Sequence, residues 1–180
     1  MSENTKLYIA SDNFYFENGI KNYTDERGDV EIIGSSFERV ICKTDNHATI
    51  ILNIKDLKML QEYLKFASFK FKRTIVLIDS LGRNSFFKMG SVFYISKKSD
   101  FWFISEILRG RHNSLKNDVL SRKEYQVLRF EHLSKEVACQ LLDVSYKVLC
   151  AKRSDIKTKL KMIRVNPMAM LEIQYVVCYK

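Results

Sequence analysis

The chain has 180 residues, and its 30 lysines and arginines outnumber its 21 aspartates and glutamates, giving a formal charge of +9. Apolar residues make up 46% and aromatic residues 12%, which excludes a wholly disordered polymer. No apolar run approaches the ~20 residues of a membrane helix, residues Met1 to Lys6 carry no apolar core of a secretory signal, and Cys42, Cys139, Cys150 and Cys178 form no C-x-x-C pair. The expectation is a basic cytoplasmic protein with reduced thiols, no membrane contact and room for two compact domains.

Five short segments of residues 1–110 read as strands: 7–10, 30–33, 48–52, 74–78 and 91–95. They are rich in β-branched or aromatic residues and mostly apolar on both alternating faces, as a parallel sheet covered on two sides requires. Between them Leu57, Leu60, Leu64 and Phe66 recur near helical spacing. Phe101, Ile104, Ile107 and Leu108 do the same after a helix start at Ser99-Asp100. This predicts a doubly wound, five-stranded parallel α/β domain, with ligand sites beyond the carboxyl ends of its strands. Phe66, Phe69, Phe71, Phe86 and Phe87, set among Lys65, Lys70, Lys72 and Arg73, have the composition of a single-strand-binding stripe. Their expected place is nevertheless the core. Phe101 and Trp102 are expected in the core or at a dimer interface.

Residues 111–119 are polar and aperiodic, as a linker is. The chain then changes character. Residues 113–180 carry thirteen cations and seven acids, whereas residues 1–112 carry seventeen and fourteen. Helices are predicted at 121–130, 134–142, 146–160 and 167–178, so residues 120–180 form an all-α, four-helix domain. Pro167 suits the first turn of the last helix, where its missing N–H costs nothing, and Asn166 suits the cap. The pair 134–142 and 145–160, joined by Asp143-Val144, has the proportions of a helix-turn-helix. Residues 146–164 hold seven cations against the single acid Asp155. On that helix Leu149, Ile156 and Leu160 form an inner row, which Arg153 interrupts. Lys147, Cys150, Ala151, Ser154 and Lys157 fall largely elsewhere. Small and cationic side chains on an outer face fit a major groove, where they permit close approach and meet phosphates.

Leu120-Ser121-Arg122-Lys123-Glu124-Tyr125-Gln126-Val127-Leu128 resembles the L-T-x-R-E-x-x-V-L opening of LuxR/NarL-type helix-turn-helix domains. Ser145 to Lys152, then Ile156 and Lys159-Leu160, follow the S-x-x-T-V-x-x-H-x-x-x-I-x-x-K-L pattern of that family. The turn before Ser134 is about two residues short, Val148 stands for the usual Thr and Lys152 for the usual His. The resemblance implies base-reading positions at Cys150, Ala151 and Ser154, with Lys147, Lys152, Arg153 and Lys157 as phosphate or base partners.

The first half resembles the receiver domain of response regulators through Ser11-Asp12-Asn13 to Gly19-Ile20, Ala48 to Asn53, and Gly90 to Lys97. The phosphoacceptor position falls on Asn53, the acidic pair on Ser11 and Asp12, the switch Ser/Thr on Ile78 and the lysine on Lys97, with Asp12 as its expected partner. Phosphorylation needs a carboxylate nucleophile and a Mg²⁺ held by carboxylates, so this pocket is expected to be degenerate.

Together the resemblances imply a transcription regulator similar to the Rcs-type auxiliary regulators, acting without aspartyl phosphorylation. Its implied partners are double-stranded promoter DNA, a second copy or a response regulator, and RNA polymerase. Dimer contacts are expected at Phe101, Ile104 and Leu108 and at Met168, Leu171 and Tyr175. The alternative is an interaction protein that modulates another factor by heterodimerising, with little DNA binding of its own. No enzyme, cofactor or metal is expected. His47, His112 and His132 lie far apart, and the six glycines form no phosphate-binding loop.

Overall fold

A computed structural model describes residues 6–24, 30–36, 38–39, 42, 46–111, 120–162 and 167–178. Residues 112–119 of the expected linker and the cap at Asn166 lie outside the described residues. Contacts divide the chain into two compact units, Met1–Leu77 with Lys88–Tyr94, and Ile78–Phe87 with Ile95–Lys180.

The strands are β1 (Leu7–Ser11), β2 (Val30–Ile32), β3 (Thr49–Asn53), β4 (Arg73–Ile78), β5 (Phe86–Met89) and β6 (Val92–Ser96). They form one sheet in the order β2-β1-β3-β4-β6-β5, with β1 parallel to β2 and β3, and β3 parallel to β4. Every residue of β1, β3 and β6 is buried, as the apolar pattern on both faces requires. The α/β layout is the expected one, but the sheet has six strands, not five, and is mixed. Only Gly90-Ser91 separates β5 from β6, too short for a parallel crossover. Gly90, at φ +60°, supplies the left-handed conformation of that turn.

In the first unit the chain leaves β1 for β2, then returns across β1 to β3. In sheets of this kind such a reversal marks the carboxyl ends of the two strands, here β1 and β3, as the place for a ligand site. Two helices start at that edge. Helix α1 (Phe14–Thr24), which the sequence pattern does not predict, is capped by the Asn13 side chain, which accepts from Phe16 N at 3.2 Å. Helix α2 (Leu57–Lys70) is capped by Asp56, which accepts from Met59 N at 2.8 Å, and it buries Leu60, Tyr63, Leu64 and Ala67. Phe71, Phe86 and Phe87 are core residues as expected, whereas Phe69 is 85% exposed and overturns its expected place.

In the second unit, α3 (Phe101–Leu108) begins after Asp100, whose carboxylate bonds Arg83 at 2.6 Å and Asn84 at 2.7 Å. Then come α4 (Arg122–Arg129), α5 (Lys135–Leu142), α6 (Tyr146–Lys159) and α7 (Pro167–Val177), close to the predicted spans. Each of α4, α5 and α6 is capped by a serine, namely Ser121, Ser134 and Ser145. Ser134 is followed directly by helix, so the shortened approach to it still yields a proper start. Asp143 ends α5 in the left-handed conformation, and Val144 N donates back to Cys139 O at 3.1 Å. Two residues thus turn α5 into α6. The loop after β4 meets the end of α6. Gly82 N donates to Leu160 O at 3.5 Å, and a Cβ at Gly82 would lie 2.0 Å from Lys161 O, so only glycine fits. Ser80 also bonds Glu172 of α7. Among the described residues, no helix is long and apolar enough to cross a membrane.

Glu124 organises the helices. One carboxylate oxygen accepts from Ser121 N at 2.6 Å, completing a capping box, and also receives Lys159 Nζ at 2.8 Å. Burial raises the pKa of this carboxyl. The Lys159 ammonium and Ser121 more than offset that and hold it below its ordinary value. Folding therefore favours the ionised form. The resulting stability is complete above about pH 4.5 and is lost as pH falls through the lower folded pKa. Lys159→Ala should cost about 2 kcal/mol in denaturant unfolding. That loss should shrink in acid, where Glu124 is protonated in both proteins.

Candidate nucleic-acid interface

Helix α6 exists because Ser145 caps it and three side chains hold it. Leu149, Ile156 and Leu160 are buried at helical spacing against the rest of the unit. That row fixes the opposite side outward. Lys147, Ala151 and Ser154 are exposed there, Cys150 is exposed beside them, and Lys152 and Lys157 are half-buried on the flanks. The outward side combines small side chains (Ala151, Ser154) with Lys147 and has further lysines on its flanks, a mixture that allows close approach of a duplex and contact with its phosphates.

Arg153 departs from the expected role. Its Nε lies 2.8 Å from Glu131 Oε2, and the two side chains are only 13% and 12% exposed. The contact is an ion pair without hydrogen-bond alignment, since both atoms lack a hydrogen-bond partner. Burial pushes the Glu131 carboxyl above its ordinary pKa, and Arg153 offsets this only in part. Arg153 thus positions α6 against the turn after α4 and is largely withdrawn from the surface.

Sequence reasoning missed Lys135 and Tyr146. Lys135 Nζ donates to Tyr146 Oη at 2.9 Å and sits 5.2 Å from the centre of its ring, so the first turns of α5 and α6 share a cation at the surface. A cleft of about 550 Å³ runs beside α6, lined by Ser134, Lys135, Cys150, Ser154 and Lys157 above the Arg153–Glu131 pair. The pattern that could have exposed Lys135 is its position directly after the Ser134 cap.

In the first unit the carboxyl edge of β1 and β3 is closed by its own polar groups. Asn53 Nδ2 donates to Ser11 Oγ at 3.2 Å, and Asp12 Oδ2 accepts from Lys55 N at 2.8 Å. Asp12 is the single carboxylate among Ser11, Asp12 and Asn53 of this edge, and an amide at Asn53 offers no carboxylate nucleophile. In the second unit Ile78 is buried, and Lys97 Nζ pairs with Asp79 at 3.3 Å, in place of the expected Asp12. Lys98 Nζ donates to Asp79 O at 2.8 Å. Of the expected dimer contacts, Ile104 is buried in its own unit and is corrected to a core residue. Phe101, Leu108, Leu171 and Tyr175 are half-buried, and the Met168 side chain lies outside the described residues. Trp102 is exposed.

No protein-family model and no curated protein matches the chain. It is similar to solved structures at low scores. One is RcsB from Salmonella enterica serovar Typhimurium bound to promoter rprA, with 16% identity, a TM-score of 0.46, and 98% of this chain and 100% of that chain covered. An RcsB–DNA complex gives 18% identity, 0.45, and 97% and 100%. Full-length FixJ from B. japonicum gives 11%, 0.37, and 99% and 100%. At these values the likeness carries no functional weight, and the interface stands on its own geometry.

Arg153→Met should leave Glu131 buried and unpaired and lower stability by about 3 kcal/mol, and adding Glu131→Leu should recover most of that loss. A thermal-denaturation double-mutant cycle measures both. A solvent-facing arginine would give a change within ~0.5 kcal/mol and no coupling.

Proposed function

We propose that the chain is a DNA-binding transcription regulator that works without aspartyl phosphorylation. The observation that supports this best is the outward side of α6, where Ala151 and Ser154 stand with Lys147 between flanking lysines, on the second of two capped helices joined by a two-residue turn. Residues 1–110 serve as a pseudo-receiver, 111–119 as a linker and 120–180 as the DNA-binding domain. Lys147, Lys152 and Lys157 neutralise phosphates, and Cys150, Ala151 and Ser154 face the base edges. Ser11, Asp12 and Asn53 of the first unit, and Ile78 and Lys97 of the second, stand at the positions that the receiver resemblance assigns to phosphoacceptor chemistry, and none of them is a carboxylate at the acceptor position. Abundance, a partner or a small ligand therefore sets activity. The chain acts in the cytoplasm as a homodimer, or as a heterodimer with a response regulator, on promoter DNA together with RNA polymerase.

A second reading, an interaction protein with little DNA affinity, draws support from α5. Val137 and Leu141, one turn apart, are both exposed there, and the arginine of α6 is committed to Glu131.

Binding of the purified chain to duplex DNA across a salt series separates the two. Log affinity should fall against log salt with a slope of about 0.9 per neutralised phosphate, roughly four to eight in all for a dimer. Lys147→Ala should lower that slope by about 1 for each phosphate left without its cation, on every sequence tested. Absence of binding at low salt, alone or with a response regulator, would favour the interaction protein. Incubation with a small phosphodonor and Mg²⁺ should leave the chain unlabelled, and label on Asp12 or Asp56 would refute the degenerate pocket.

A further inference from the structure

We propose that α6 selects thymine-bearing sites by apolar contact with the thymine C5-methyl group, through Ala151 at the centre of its outward side and Cys150 beside it. The inference rests on the DNA-binding reading and goes beyond it by naming the feature of the duplex that is read.

Burial fixes the orientation of α6 and so decides which side chains can meet a base. With Leu149, Ile156 and Leu160 inside, the side chains that reach deepest into a groove are Lys147, Ala151, Ser154 and Thr158. Guanine is most often read by a bidentate arginine, and the arginine of this helix is held 2.8 Å from Glu131. Adenine is read by a bidentate Asn or Gln, and α6 contains neither. The Ser154 and Thr158 hydroxyls can bond to any base and so discriminate little, while the Thr158 methyl group adds apolar surface to the same side. What remains at the centre is a methyl group and, next to it, an exposed thiol that behaves as a small hydrophobe. In the major groove the thymine methyl is the one apolar feature of the unmodified bases, and small apolar side chains are its partners. Their small size also lets the helix backbone come close enough for contact.

Two polar residues offer competing readings. Lys147 can donate to guanine. Asp155, the single acid of α6, can accept from cytosine, although it lies toward the edge of the outward side. Either would make the preference one for G·C pairs, indifferent to methyl groups.

The test uses the full chain and one A·T-rich duplex in two forms, with thymine and with deoxyuridine throughout. The forms share every hydrogen-bonding edge and differ in the methyl group alone. Fluorescence anisotropy at low salt should show binding to both, weaker for the deoxyuridine form by roughly fourfold for each methyl group that the helix touches. A G·C duplex should gain affinity when its cytosines are replaced by 5-methylcytosine. Ala151→Gly should lower the thymine-to-deoxyuridine ratio by roughly fourfold for each methyl group that Ala151 touches, and Ala151→Ser, which strains the helix less, should lower it in the same direction. Because the readout is a ratio for each protein, the folded fraction cancels. Equal affinity for both forms would overturn the methyl reading while leaving DNA binding intact. A preference for G·C that Lys147→Ala or Asp155→Asn abolishes would overturn it as well. Failure to bind either form would remove the DNA-binding reading and this one with it.

Discussion

A single carboxylate sets the geometry of the helical unit. Glu124 caps α4, is 2% exposed and holds Lys159 at the far end of α6. A buried carboxylate is costly unless its lone pairs are met, so α4 and α6 keep the arrangement that meets them. The L-S-R-K-E opening and the I-x-x-K-L ending, whose Glu124 and Lys159 stand 35 residues apart, are therefore two halves of one contact. The buried row of Leu149, Ile156 and Leu160 then fixes the rotation of α6, and the Arg153–Glu131 pair fixes its approach to the turn after α4. The outward surface follows from those three constraints together. It is defined by what the inner side must satisfy.

The first unit follows the same logic at the carboxyl edge of its sheet. A pocket built for phosphoryl transfer would keep carboxylate oxygens free for a cation. Here Asn53 turns its amide to Ser11, and Asp12 takes a backbone N–H. These bonds tie the end of β1 to the end of β3 and to the segment that follows it. In the second unit, Glu172 of α7 bonds Ser80, and burial together with the nearby Asp79 raises its pKa. Gly82 allows the same loop to pass against Lys161.

Much of this was legible in the sequence, for reasons that differ by element. The four C-terminal helices show 3.6-residue periodicity, and three of them add a serine cap; both signals are local. Strands β1, β3, β4 and β6 are continuous apolar runs, which a sheet covered on two sides requires. Strand β5 escaped because Phe86-Phe87-Lys88-Met89 is four residues long, with only its first half buried. Helix α1 escaped because its first turn exposes Phe14 and Tyr15, so the apolar spacing does not mark an inner face, and Asn13 was its one signal. Arg153 was visible as an interruption of the inner row. Its partner Glu131 lies on a different element, beyond any local pattern, so the sequence could not tell a buried ion pair from a groove-facing cation. Phe69 deceived in the opposite sense, as an aromatic at the end of a buried helix that faces solvent.

If the outward side of α6 meets a duplex, backbone amide shifts of the full chain will report it as a short duplex is added at low salt. The largest changes should fall at Lys147, Cys150, Ala151 and Ser154, smaller ones at Lys135 and Tyr146, and little at Asn53 or in β1 and β3. Changes that spare α6 and gather instead on α5 around Val137 and Leu141, or on the sheet, would contradict it.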